Sequence, residues 1–237
     1  MKRILLIFAC LIPFNLGFGY DWEEVLKQSE RYREFSKEGF SFDYQLKEEG
    51  KSPQLLRVYI KPNDPGTVLV KFLSPANLAK RRILTTSDGI WMYDTGMRTP
   101  IRISDSQLLF GQASTGDISR IVFNLYYYPV SGSVEDSQIK LTLSKREGQK
   151  VSYPKVILYL DKETYKPLKA EFFSSSGVKM KTVVYEDYGE FDGKVLLKKF
   201  RVKNEISGDE TTIELSNYST NTLPLSMFSK SALERIP

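Results

Sequence analysis

The chain has 237 residues, a formal net charge of +5, no histidine and a single cysteine, Cys10. That set excludes a Ser-His-Asp triad, a Cys-His dyad, a histidine metal cluster and a zinc finger. With 41% hydrophobic, 27% charged and 13% aromatic residues, it has the composition of a globular chain rather than a disordered one.

Residues 1–19 read as an export signal. Met1-Lys2-Arg3 is a short positive start, Ile4 to Phe18 is mostly apolar, and Gly17-Phe18-Gly19 places small residues before a cut at Tyr20. The run is too short, and too interrupted by Pro13 and Asn15, to span about 30 Å of hydrocarbon. Ile7-Phe8-Ala9-Cys10 loosely resembles a lipobox, but Phe8 fits that motif poorly and the apolar run continues past Cys10. Cleavage removes Lys2, Arg3 and no acid, which takes the net charge from +5 to +3, and leaves a chain without cysteine or disulfides. No run of like charge reaches five residues, so no nucleic-acid footprint is present.

Asp21 is placed to cap a helix, with Glu24 three residues on. Trp22, Val25, Leu26, Ser29, Tyr32 and Phe35 make one apolar stripe, Glu23, Lys27, Glu30, Arg31 and Glu34 the wet face, and Gly39 the stop. From Phe40 onward the pattern alternates with period two. Phe40-Phe42-Tyr44-Leu46, Leu56-Val58-Ile60 and Val68-Val70-Phe72 form apolar faces. So do Ile139-Leu141-Leu143, Val156-Leu158-Leu160, Leu168-Ala170-Phe172, Val178-Met180-Val184, Leu196-Phe200-Val202 and Ile213-Leu215. Each predicts a half-buried antiparallel strand, and turn residues such as Asn63-Asp64-Pro65-Gly66 and Asp192-Gly193 separate them. Short strands are expected near 82–86, 90–94 and 100–104, and a second helix from Thr115 through Phe123. Residues 20–237 are expected to form one mainly antiparallel β (α+β) domain: a single strongly curved sheet, an unclosed β-barrel of about 11 strands, enclosing helices.

Five segments, in order along the mature chain, resemble the bacterial LolA-like, outer-membrane lipoprotein-sorting proteins. They are Phe72-Leu73-Ser74-Pro75-Ala76 leading to Arg82-Ile83-Leu84; Ser87-Asp88-Gly89-Ile90-Trp91-Met92-Tyr93; Thr99 to Ser104 with the Phe110-Gly111 step; Lys155 through Phe172 with its Pro-Leu-Lys-Ala-Glu second strand; and Leu223 to Phe228 with Leu233-Glu234-Arg235. The resemblance implies a half-open antiparallel sheet with helices in its mouth. It also implies a periplasmic carrier of lipoprotein acyl chains, supplied by an inner-membrane transporter complex and discharged at an outer-membrane acceptor. A basic residue before a Pro-Asn pair helps to close the lid in the family. Here that position is Lys61, before Pro62-Asn63, and lysine lacks arginine's planar fork.

An apolar interior of this kind is filled either by side chains or by a ligand. The candidate lining residues are Phe40, Phe42, Val58, Val70, Phe72, Trp91, Met92, Tyr93, Leu158, Phe172, Met180, Phe200 and Val202. Whether Trp91 and Tyr93 or Ile90 and Met92 face inward is open at this stage, as is the place of Tyr126-Tyr127-Tyr128. Lys61, Arg98 and Arg102 are candidate gate or docking residues, with Arg81 and Arg82 beside them. Gly111-Gln112-Ala113-Ser114-Thr115-Gly116 has the wrong spacing for a serine-nucleophile elbow, and no calcium-loop spacing appears. The expectation is a lipid carrier without catalysis, metal or cofactor. The alternative is an exported β-module with a filled interior, acting in adhesion or envelope structure.

Overall fold

The computed structural model describes residues 19–119, 122–220 and 222–235. The expected signal peptide and Cys10 lie outside the described residues.

Helix α1 (Trp22–Ser29) opens as expected: the Glu24 amide donates to Asp21 Oδ1 at 3.2 Å. It does not run to Gly39. It tightens into a 3-10 turn over Glu30–Tyr32 and then unwinds. At its end Tyr32 donates to the Thr164 carbonyl at 2.9 Å, and beyond it Phe35 packs edge-on against Phe40 and Tyr218. Gly39 instead sits at φ +83, where a Cβ would lie 2.9 Å from the Pro62 ring.

The first run of strands is β1 (Phe40–Lys47), β2 (Gln54–Lys61), β3 (Asp64–Ser74), β4 (Arg82–Thr86), β5 (Gly89–Tyr93) and β6 (Ile101–Ile103). A small hairpin, β7 (Leu108–Phe110) and β8 (Ala113–Ser114), leads to helices α2 (Thr115–Ser119) and α3 (Phe123–Tyr126). The second run is β9 (Tyr127–Glu135), β10 (Gln138–Lys145), β11 (Lys155–Asp161), β12 (Pro167–Phe173), β13 (Lys179–Phe191), β14 (Lys194–Asn204) and β15 (Glu210–Ser219). Two 3-10 turns, Leu225–Phe228 and Lys230–Ala232, follow.

Thirteen strands form one antiparallel sheet in the order β6-β5-β4-β3-β2-β1-β15-β14-β13-β12-β11-β10-β9. It is two meanders joined by the β1–β15 pairing, and it stays open, with free edges at β6 and β9. The mainly antiparallel, curved, unclosed sheet is as expected; the strand count exceeds the expected eleven. The additional long strand is β9, whose Pro129 and Gly132 hide it from periodicity. Both are tolerated because β9 is an edge, and Pro129 sits at the register shift opposite Leu143. Gly132 leaves the space that the Trp22 ring fills.

The concave face carries the main core. Phe40, Phe42, Tyr44, Val58, Val70, Phe72, Ile83, Ile90, Met92, Leu158, Ala170 and Val202 share it with Leu26, Ile118 and Phe123 from the helices. The convex face has a smaller cluster, in which Leu69 and Leu84, with Tyr59, Trp91 and Tyr93, lie under Phe228 and Leu233 of the C-terminal turns. Ile90 and Met92 therefore face inward, and Trp91 and Tyr93 outward.

Two expectations are corrected. The 115–123 helix is broken, because Val122 is extended at φ −112, ψ 104 and Phe123 begins a separate turn. On β13 the faces are inverted: Phe172 pairs with Lys181 and Ala170 with Val183, so Lys181 and Val183 point inward and Met180 does not. A one-residue difference in register exchanges every side chain between faces. Lys181 occupies the inner face because a carboxylate meets it there.

Phe42 is 1% exposed and contacts the rings of Phe40, Tyr44 and Tyr218. Phe42→Ala is expected to cost about 3–5 kcal/mol in urea unfolding. Val130→Ala on the free edge is expected to stay within about 0.5 kcal/mol.

Candidate functional site

Phe110-Gly111 hooks the β7–β8 hairpin onto the sheet. Phe110 stacks on Phe72 at 5.4 Å, and the Gln112 amide donates to Thr211 Oγ1 at 2.7 Å. Gly111 is at φ +63, and a Cβ there would lie 2.3 Å from the Thr211 hydroxyl. From this hook residues 113–119 and 122–126 lie over the concave face as a roof.

Two buried ion pairs hold the roof. Arg33 Nη2 meets Glu30 Oε2 at 2.6 Å, with the side chains 9% and 4% exposed. The other carboxylate oxygen, Oε1, accepts the Asn124 amide of α3 at 3.1 Å, and the guanidinium lies 4.4 Å over the Phe123 ring. On the far side Lys181 of β13 pairs with Asp117 of α2, the two side chains 4% and 6% exposed. Asp117 also accepts the Ser114 amide at 2.7 Å. The helical stripe had placed Glu30 on the wet face. It is buried because the helix tightens there and turns its carboxylate onto the amide end of α3.

Under the roof lies a cavity of about 70 Å³. Phe123, Tyr127, Phe172, Val183, Leu197 and Phe200 give it an apolar wall; Arg33, Tyr44, Tyr153 and Tyr185 a polar one; and Asp105, Val151 and Ser152 open one end. Burial pushes the Tyr185 hydroxyl up to about 12, and pushes Tyr44 and Tyr153 further still, so all three stay protonated. Burial also raises the Glu30 carboxyl, against the pull of Arg33 and of the α3 amides. Arg33 Nε is buried without a hydrogen-bond partner. Among the described residues no group of three or more metal-ligating side chains comes together.

Of the expected lining residues, the structure brings Phe172 and Phe200 to the cavity wall. Phe40, Phe42, Val58, Val70, Phe72, Met92, Leu158 and Val202 are packed core on the same face, behind the cavity. Trp91 and Tyr93 are on the opposite face, because β5 turns Ile90 and Met92 inward. Met180 is half-buried on the other side of β13 from the cavity. Tyr126 is buried at the end of α3, and Tyr127 begins β9 and lines the cavity. Lys61 pairs with Asp64 at 3.1 Å, at the β2–β3 turn. Arg98 is exposed in the β5–β6 connection. Arg81 pairs with Asp94, and Arg82 is buried on the convex face with Nη1 on the Lys80 carbonyl. Arg102 lies at the open end, described below.

A family model that carries only the description of an uncharacterized protein-like family matches residues 66–235. The fold superposes on a LolA superfamily protein from Nitrosomonas europaea with a TM-score of 0.76, at 25% identity, over 90% of this chain and 99% of that one. The chain belongs to the family whose model it matches, and its fold is LolA-like. Two further structures share the fold. A putative outer membrane lipoprotein-sorting protein domain from Vibrio parahaemolyticus has a TM-score of 0.71 at 20% identity, over 90% of this chain and 98% of that one. A DUF1329 family protein from Desulfovibrio piger has 0.70 at 18%, over 89% and 97%. No curated protein matches the sequence.

In this LolA-like chain the roof latch is an ion pair whose arginine belongs to the N-terminal segment. Sequence reading missed Glu30, Arg33, Asp117 and Lys181 as a set, since each is an ordinary charge until its partner is known.

Arg33→Met leaves Glu30 buried without its cation, so its carboxyl rises above the already elevated value. A folded-state value above the unfolded one, near 4.5 for glutamate, gives stability that is complete at low pH and lost as pH rises through the folded value. The variant is expected to lose about 3–5 kcal/mol in urea unfolding well above neutral pH, and distinctly less at about pH 5. Glu30→Gln/Arg33→Met is expected to remove that pH dependence. Equal losses at both pH values would contradict a buried, titrating Glu30.

Proposed function

We propose that this protein is a periplasmic carrier that sequesters the acyl chains of lipoproteins, or of related lipids, beneath the roof of α2 and α3 and moves them toward the outer membrane. The observation that carries the reading is the roofed, aromatic-lined cavity in a chain of LolA-like fold. Among the described residues no helix is long and apolar enough to cross a membrane. The signal-like residues 1–19 fit export. An inner-membrane transporter complex then acts as donor and an outer-membrane protein as acceptor.

The mechanism is sequestration rather than chemistry. Each methylene removed from water contributes about 0.8 kcal/mol, so a chain of ordinary length binds tightly with no specific polar contact. The cavity of about 70 Å³ has room for a handful of waters and not for such a chain. Loading therefore requires the roof to lift. Its two helices are five and four residues long. Helices that short have little intrinsic stability, so tertiary contacts, including the two ion pairs, set the cost of lifting. The small closed volume also favours the second reading, an exported β-module whose interior is simply filled.

Native mass spectrometry of the mature protein, taken from periplasm without detergent, separates the two. A discrete adduct of lipid or lipopeptide mass is expected. A clean apo mass that persists after incubation with acylated peptide and phospholipid would favour the filled module. Asp117→Asn/Lys181→Met replaces one roof tether by neutral side chains. It is expected to speed uptake of a fluorescent fatty acyl probe in stopped flow while leaving the equilibrium affinity within about threefold, since the apolar contacts stay.

A further inference from the structure

The apolar cavity does not end at the roof. Asp105, Val151 and Ser152 line it, and they also line an open groove of about 570 Å³ between the two halves of the sheet. One bank of the groove is the β4–β5 turn and the end of β6, with Ser87, Gly89, Arg102, Ser104 and Ser106. The other is the end of β10 and the loop after it, with Lys145, Gln149 and Lys150.

Among the described residues lining the groove, Lys145 and Lys150 are cationic and Asp105 is acidic, and Arg102 reaches the groove's rim from the outward face it shares with its cross-strand neighbour Trp91. No carboxylate of the described residues pairs with Arg102, Lys145 or Lys150, although most other basic groups of the sheet have one, as Lys47, Lys140, Lys199 and Arg201 do. Arg102 is also held in place. Its Nη2 donates to the Asp88 carbonyl at 2.6 Å, its guanidinium lies over the Trp91 ring at 6.0 Å, and it crosses Gly89 so closely that a Cβ there would lie 2.8 Å from Nε. A rigid guanidinium with donor hydroxyls beside it suits the oxygens of a phosphate.

We propose that this groove is a headgroup subsite, and that it selects lipids carrying an anionic phosphate ester: the phosphate sits between Arg102, Lys145 and Lys150 while the acyl chain enters the cavity through Asp105, Val151 and Ser152. The proposal rests on the carrier reading and adds to it the class of cargo. The groove is wet and exposed, so the cations act mainly on selectivity and on encounter rate, and the cavity supplies the affinity.

The test is a competition read by native mass spectrometry. Mature protein is incubated with equal amounts of dipalmitoyl phosphatidylglycerol and dipalmitoylglycerol, which share acyl chains and differ in the phosphate. The expected result is a preference for the phosphate lipid of roughly tenfold at low salt, as three exposed charge contacts supply, shrinking as salt is added. Arg102→Gln/Lys145→Gln/Lys150→Gln is expected to bring the ratio near one while total lipid loading is kept. Lys150→Glu alone, far from any core contact, is expected to move the ratio the same way should the triple variant fold poorly. An unchanged ratio in a loaded, folded variant, or no preference in the unmodified protein, overturns the headgroup subsite and leaves the carrier intact. Absence of both lipids overturns the carrier reading as well. Displacement of phosphatidylglycerol by glycerol 3-phosphate at equal concentration assigns the groove to a free phosphate ester and overturns the lipid selectivity.

Discussion

Everything in this fold hangs on the pairing of β1 with β15. Among the described residues, β1–β15 is the one ladder between the two meanders, β1 to β6 and β9 to β15, so this pairing makes them one sheet. It is pinned by more than its backbone bonds. Asp43 of β1 is buried and binds the guanidinium of its cross-strand neighbour Arg57 through both oxygens. Its Oδ2 also accepts Asn217 Nδ2 at 2.8 Å, from β15 on the other side. Asn217 adopts φ +54 and lies in the stretch where the β1–β15 register shifts between Ser41 and Asp43. One carboxylate thus ties three adjacent strands at an irregular point, where an extra residue increases local twist and bend. With the halves joined on this side, the free ends of the sheet lie on the other, and a covering segment and a groove between the halves become possible.

The interior then carries charges that an ordinary core would not. Taking an ion pair out of water costs several kcal/mol per ion, and well-packed apolar side chains often serve stability as well or better. Glu30–Arg33 and Asp117–Lys181 are not needed to fill space, since aromatic rings surround both. What they do is fix where the roof lands: Glu30 meets the amide end of α3, and Asp117 joins α2 to β13. A roof of two helices, five and four residues long, has too little apolar surface to choose its own position on a smooth wall of Phe and Leu. Polar contacts with defined geometry make that choice. They also differ from apolar packing in how they respond to opening, because a charge that is costly when buried regains its hydration when the roof lifts.

How much of this could be read from the sequence follows from where each residue sits. The strands were legible wherever one face is buried and the other wet, as in Phe40 to Leu46 or Val156 to Leu160. β9 was not, because an edge strand tolerates proline and glycine and leaves both faces of its outer half exposed. On β13 the periodicity assigns the two faces the wrong way round. Lys181 and Val183 share the inner face and Met180 lies outward, and only the distant Asp117 makes that arrangement acceptable. The pattern over 115–123 predicts a continuous helix, since Ile118, Ile121 and Val122 are apolar. Ile118 and Phe123 are buried from two separate turns, and Val122 is the extended residue that precedes the second. Among the cavity candidates, Phe172 and Phe200 were reachable from periodicity. Arg33 and Glu30 were not, since nothing local distinguishes an inward charge from a solvated one.

The division of labour between cavity and groove follows from the same physics. Apolar burial is strong but blind to the head of an amphiphile, because methylene groups of any lipid look alike. Discrimination must come from groups that meet the head in water, where each charge contact is weak. Arg102, Lys145 and Lys150 are placed to discriminate in this way. They lie close to the cavity's open end, unpaired with acids of the described residues, and on both banks of the groove so that a ligand spans it. Arg102 is the one whose position the fold fixes most firmly, through the Asp88 carbonyl, the Trp91 face and the absence of a side chain at Gly89. Its orientation is therefore established before a ligand arrives, and little side-chain entropy is lost when one does. The lysines opposite keep their freedom, which suits a rim that must let its cargo leave. A carrier has to release what it binds, and weak contacts at an exposed mouth are compatible with release in a way that a deeply buried counter-charge would not be.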